Sequence, residues 1–229
     1  AVPDDTGEDS MSTSKVITFN DLENWLNERR VTEVECLAPD LTGVARGKIL
    51  PRAGEIASQI SVIYVALTIT CALVYSAFGM GNFDAMVHAM TTVSTGGMAN
   101  SDASFGYYGE AVHYSASIFM ILAALPFVRY VQLVAGTAEP ILKDTQIHTF
   151  LMIIFVCVML ISAWVWGRDG AVTEIAFREA VFNVTSIITG TGYASADYMT
   201  WGTFPVVMFF FIGLIGGCAG STACSVKVF

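Results

Sequence analysis

Charge almost vanishes from the chain after its first quarter. Ile56 to Phe83 and Thr145 to Gly167 contain no Asp, Glu, Lys or Arg, and each exceeds the ~20 apolar residues a helix needs to cross hydrocarbon. Two spanning helices are predicted there. Ala111 to Val128 is a third uncharged run, extendable past Arg129 to Ala135. Tyr198 to Val226 is a fourth, interrupted by Gly213 and then by Gly216-Gly217-Cys218-Ala219-Gly220. Four spans are expected, and the last should start as a helix, lose regular structure at Gly216 to Thr222 and resume. A soluble helix of such length would show a charged face at 3.6-residue spacing, and these runs show none.

Two shorter uncharged pieces, Ala85 to Ser101 and Ala180 to Ala196, lie between the spans and are rich in Thr, Ser and Gly. Their length and polarity predict re-entrant segments, and non-helical backbone at membrane depth is tolerated only against protein or a water-filled path. An ordinary extramembrane loop is the alternative. Shifting the chain by 95 positions places Asp84 on Glu179, Ala85 on Ala180, Gly97 on Gly192, Ala99 on Ala194 and Asp102 on Asp197. The order repeats: long apolar helix, acid, short helix, Thr/Gly loop, Asp, second helix. Helix, pore loop, helix is the unit from which potassium-selective pores are assembled. In such filters backbone carbonyls replace the ion's water shell, and a glycine occupies the position closed to residues with a Cβ. Gly97 and Gly192 are the candidates.

Composition agrees with a membrane location: 54% of the 229 residues are apolar and 14% charged, with a mean hydropathy of +0.61. The net charge of −9 leaves no basic surface for nucleic acid. Cys36, Cys71, Cys157, Cys218 and Cys224 are scattered, which suggests neither a disulfide framework nor a zinc site. The N-terminus lacks the basic-then-apolar order of a signal peptide.

Thr92-Val93-Ser94-Thr95-Gly96-Gly97-Met98-Ala99-Asn100-Ser101-Asp102-Ala103-Ser104-Phe105-Gly106 closely resembles the second pore loop of the TrkH/KtrB superfamily of potassium transporters, and Thr189-Gly190-Thr191-Gly192-Tyr193-Ala194-Ser195-Ala196-Asp197-Tyr198 resembles the third. Ile215-Gly216-Gly217-Cys218-Ala219-Gly220-Ser221-Thr222-Ala223, followed by Val226-Lys227-Val228, resembles the family's interrupted helix, which forms a gate beneath the filter. The chain departs from the family pattern at Met98 (usually Phe), Gly190 (usually Thr) and Cys224-Ser225 (usually Gly-Gly).

The resemblance implies an all-α polytopic membrane protein and no enzyme, with two helix–pore-loop–helix units in residues 52–138 and 139–229. It implies a selectivity filter of the backbone carbonyls of Thr95, Gly96, Gly97, Met98, Gly190, Thr191, Gly192 and Tyr193. It also implies a gate of Gly216, Gly217, Cys218, Ala219, Gly220, Ser221 and Thr222. No cofactor is expected, potassium being the transported substrate. The implied partners are a cytosolic nucleotide-binding regulatory ring (TrkA-like), a second copy of the subunit and the lipid bilayer. The location implied is the plasma (inner) membrane, multi-pass. The family's pore takes four units, so two alone are not expected to close it.

Family topology would put Asp84, Asp102, Glu110, Asp169, Glu174, Glu179 and Asp197 outside with Arg168 and Arg178, an acidic surface that concentrates cations. It would leave Arg46, Lys48, Arg52, Arg129 and Lys143 inside, in accord with the positive-inside rule.

The N-terminal segment is a different material. Thr18 to Arg30 reads as an amphipathic helix, with Asn20 as N-cap and Leu22, Trp25 and Leu26 on one face. Glu33 to Leu37 reads as a strand, and Asp40 to Lys48 as a turn leading into a second strand. Residues 11–51 resemble the start of the glutamine synthetase superfamily, in particular the glutamate–amine ligases, without that family's metal carboxylates or nucleotide site. The expectation is an α/β fragment, 1–51, fused at Leu50-Pro51-Arg52. The alternative to transport is a membrane-anchored ligase-related or regulatory protein, or a chimeric fragment without activity.

Overall fold

In the computed structural model the described residues are 33–39, 45–51, 53–170 and 173–228. The chain divides into two compact units at Glu55 and Ile56. In the first, β1 (Glu33–Pro39) and β2 (Ala45–Pro51) form an antiparallel ladder whose register runs from Glu33 opposite Pro51 to Pro39 opposite Ala45. The expected 18–30 helix and the turn joining the strands lie outside the described residues.

The second unit is helical. α1 (Ala53–Ala77) leads through Gly79, at φ 93°, to α2 (Asn82–Val93). A long loop with one 3-10 turn (Ser104–Tyr107) reaches α3 (Glu110–Ala123), then α4 (Phe127–Val134) and the single turn α5 (Glu139–Leu142). α6 (Thr145–Asp169) begins where the Asp144 carboxylate accepts from the Gln146 amide and ends at Gly170 in the left-handed conformation, φ 76°. α7 (Glu174–Ile188) is capped by Thr173. A second 3-10 turn (Tyr198–Trp201) precedes α8 (Thr203–Gly213), which is followed by β3 (Ile215–Cys218) and β4 (Val226–Val228), paired in parallel.

Two helices among the described residues are long and apolar enough to cross a membrane, Ile56–Ala77 and Thr145–Arg168. The other two expected spans need correction. The run from Ala111 to Ala135 is not one helix: α3 and α4 meet at a 90° bend. Pro126 supplies the cause, since it has no amide to donate and its ring disfavours helix at the residue before it.

The run from Tyr198 to Val226 does not start as a regular α-helix. Gly202, at φ 111°, separates the 3-10 turn from α8. Helix is lost after Gly213, but it does not resume through residue 228, where β4 is extended along β3.

Two cores hold the unit together. Tyr75, Phe105, Phe119, Met120, Phe182 and Tyr193 pack with small residues of α2 and α3. Phe150, Ile161, Val184, Ile188, Phe209 and Ile212 form the other. Phe182 and Tyr193 belong to the second repeat yet are buried in the core of the first. The two copies are therefore interlocked through their loops. In a membrane such close fitting, rather than exclusion of water, is what favours association.

Candidate functional site

Each Thr/Gly loop leaves a short helix in the same way. After α2, the amides of Gly96 and Gly97 donate to Thr91 O at 2.7 and 3.4 Å. After α7, the Gly192 amide donates to Ser186 O at 3.2 Å. The hydroxyl of the same helical residue then reaches over the loop: Thr91 Oγ1 donates to Met98 O at 3.0 Å and Ser186 Oγ to Tyr193 O at 2.7 Å. Thr91 and Ser186, like Met98 and Tyr193, are separated by the 95 positions of the internal repeat. The repeat is thus one of hydrogen bonding as well as of sequence.

Left-handed backbone marks both loops: Thr95 (φ 52°), Gly97 (66°), Gly190 (72°) and Gly192 (86°). Three are glycines, which adopt this region without the cost a Cβ imposes. The loops also touch, because a Cβ on Gly97 would stand 1.8 Å from Thr191 O. The eight proposed filter residues form two segments, of which at least Gly97 and Thr191 are brought into direct contact.

The glycine-rich segment after α8 lies against both the Thr/Gly loop that follows α2 and the α3–α4 bend. Thr95 Oγ1 donates to Thr222 O at 2.9 Å, and Thr222 Oγ1 lies 3.0 Å from each of Val93 O and Ala123 O. Gly190 abuts Cys224, whose Cβ would be 2.9 Å from a Cβ at 190. Gly216 and Gly217 are needed for packing, since added Cβ atoms would meet Cys224 O at 2.0 Å and Ala124 O at 2.8 Å.

The bend leaves backbone groups without helical partners, and buried groups of this kind must be satisfied. The amides of Thr222 and Cys218 donate to Ala123 O and Ala124 O at 3.3 and 3.0 Å, and Phe127 N donates to Gly220 O at 3.1 Å. Tyr130 Oη donates to Leu122 O at 2.8 Å. The Ala219 amide donates to Gln146 Oε1 at 3.3 Å, and Ser221 Oγ to Cys218 O at 2.7 Å. The broken helix and the bent helix complete each other's hydrogen bonding.

Charge at the other end of the short helices is more balanced than the residue count suggests. Arg178 Nη1 lies 3.0 Å from Glu110 and 2.8 Å from Glu174, and Tyr114 donates to Glu174 at 3.0 Å. Asn100 donates to Asp84 at 2.9 Å, and Asp197 accepts from the Met199 amide at 3.1 Å.

At the start of α6, Arg129 pairs with Asp144 at 2.7 Å. Burial alone would raise the Asp144 carboxyl, but the Arg129 and Gln146 hydrogen bonds outweigh it and hold the group below its ordinary range. Among the described residues no cluster of His, Cys, Asp and Glu could hold a metal.

Sequence reading missed the hydroxyls behind the loops, Tyr75, Thr91, Thr92 and Ser186, and the bend. Both had signals, Thr91 over Ser186 in the repeat and Leu125-Pro126 inside a predicted span.

The model of the family described as TrkH, cation transport protein, matches residues 40–229. It therefore takes in the second strand of the N-terminal hairpin, which the sequence assigns to a separate, glutamine-synthetase-like fragment; the comparisons with known proteins give no support for that resemblance. The chain is 40% identical over 184 residues to the Trk system potassium uptake protein TrkI of Halomonas elongata, covering 80% of this chain and 37% of that protein. It is 31% identical over 182 residues to TrkG of Escherichia coli, covering 79% and 38%. The crystal structure of the potassium transporter TrkH from Vibrio parahaemolyticus superposes with a TM-score of 0.74 at 31% identity, over 78% of this chain and 39% of that one. The chain thus spans less than two fifths of the length of these relatives. A match of this extent, in family model, sequence and fold together, makes this mostly helical chain a membrane protein of the TrkH cation transport family.

Proposed function

We propose that this chain supplies the second and third pore-loop units of a potassium uptake pore. The ion is held by the carbonyls of Thr95, Gly96, Gly97, Met98, Gly190, Thr191, Gly192 and Tyr193, and the segment from Gly216 to Thr222 gates the path beneath them. The observation that carries the reading is the matched pair of loops, each with a left-handed glycine and a carbonyl tethered by the hydroxyl of its own short helix. Tethered carbonyls can replace water around a cation without first being reorganised.

In this reading the units are 52–138 and 139–229, the protein is multi-pass in the plasma membrane, and a nucleotide-binding ring and a second subunit are its partners. The relatives named potassium uptake proteins support the substrate. Residues 1–51 are, in the same reading, a fragment fused to these units, although the family model reaches back to residue 40.

Rubidium uptake tests the proposal, in cells lacking their own potassium transporters and with the two missing units joined to this chain. Uptake that potassium competes away is the expected result. No uptake, with the protein present in the membrane, would overturn it.

A further inference from the structure

The Tyr193 side chain leaves its own loop and enters the back of the other one. It is 1% exposed, with its ring 4.3 Å from that of Phe105. Its hydroxyl is in hydrogen-bond contact with Thr91 Oγ1, lies 3.4 Å from Thr92 Oγ1 and 3.2 Å from His88 O. Thr92 Oγ1 in turn lies 2.9 Å from Tyr75 Oη.

One direction of donation satisfies the series of hydroxyls. Tyr75 donates to Thr92, Thr92 to Tyr193, Tyr193 to Thr91, and Thr91 to Met98 O. Each hydroxyl has a single proton, and donated in this sense the series ends on the Met98 carbonyl of the second loop, the acceptor at 3.0 Å from Thr91 Oγ1. Hydrogen bonds in series polarise one another, and a buried series is stiff only while every member is present.

The equivalent positions break the pattern. Met98, the counterpart of Tyr193, is 66% exposed, and Ile187, the counterpart of Thr92, has no hydroxyl. This polar chain is therefore particular to the junction of these two units.

From this we infer that the Tyr193 hydroxyl is a positioning group: it fixes the Met98 carbonyl relative to the third loop and so sets how sharply the pore prefers potassium to sodium. The inference rests on the filter reading above. A carbonyl held at a fixed distance penalises the smaller ion, which needs its ligands closer. A freed carbonyl can follow either ion.

The test uses the completed transporter and measures sodium competition against rubidium uptake, with KM and maximal rate separated. Tyr193→Phe keeps the ring and removes the link. Loss of one buried hydrogen bond, at about 1 kcal/mol, corresponds to about a fivefold loss of potassium preference. The expected result is that loss, read as stronger sodium competition against rubidium than in the unsubstituted transporter. Thr92→Val should weaken preference less, Thr92→Ser should restore it, and adding Thr92→Val to Tyr193→Phe should change nothing further.

Unchanged preference in Tyr193→Phe, or effects of the two substitutions that add, would overturn the inference. Gly97→Ala separates the two readings. If it abolishes preference while Tyr193→Phe does not, the positioning role alone fails; if it also has no effect, the filter reading fails with it.

Discussion

Gly97 and Gly192 hold matching positions in the repeat, but their surroundings differ, and substitution should tell them apart. A Cβ at Gly97 would collide with Thr191 O at 1.8 Å, a backbone atom that cannot move alone. At Gly192 nothing stands within 4 Å, and only the φ of 86° opposes a side chain. Gly192→Ala should therefore cost about 1–2 kcal/mol, the price of left-handed backbone. Gly97→Ala should cost more and displace the third loop. Thermal unfolding of the two variants in detergent checks the order, and equal losses would contradict the close approach.

Gly190 has both obstacles, a φ of 72° and a Cys224 Cβ 2.9 Å from any added Cβ. Gly190→Ala should destabilise, and adding Cys224→Gly should recover the steric part alone. Two of the residues where this chain departs from the family pattern, Gly190 and Cys224, are thus neighbours across the contact between the loop and the segment after α8. Space given up at 190 is taken at 224.

At the scale of elements, the central object is the joint between the α3–α4 bend and the segment after α8. The Thr222 hydroxyl lies between Val93 O and Ala123 O, and Ala123 O also accepts from the Thr222 amide, so Thr222→Val should leave the Val93 carbonyl unpaired at a cost of about 1–3 kcal/mol. It should also raise ion flux by loosening the segment. Flux unchanged or lowered in a folded variant would count against a gating role.

Asp144 anchors α6 through Arg129 and the Gln146 amide. Its carboxyl is held below the ordinary value, so its contribution is complete above that value and is lost as pH falls through the lowered one. Asp144→Asn should remove this pH dependence, which unfolding measured across acid pH would reveal.

Charge-free runs made α1 and α6 legible, because length and apolarity decide those elements locally. The repeat made the two loops legible, because glycine spacing survives when other residues change. The bend was not legible from apolarity, since its shape is set by bonds to chain about 100 residues away, as between Thr222 and Ala123, and β4 takes its extended form from pairing with β3. Pro126 was a local clue that apolarity overrode.

At the scale of the molecule, the two helix–loop–helix units share one bonding pattern behind their loops and are interlocked by Phe182 and Tyr193. In the proposed function the carbonyls from Thr95 to Met98 and from Gly190 to Tyr193 hold a potassium ion. Rubidium scatters anomalously and substitutes for potassium, so crystals of the completed transporter grown in rubidium test the claim directly. The account predicts an anomalous peak within coordination distance of carbonyls from both segments, lost when sodium replaces rubidium. A well-ordered filter with no peak between these carbonyls, or a peak held only by side chains, would contradict it.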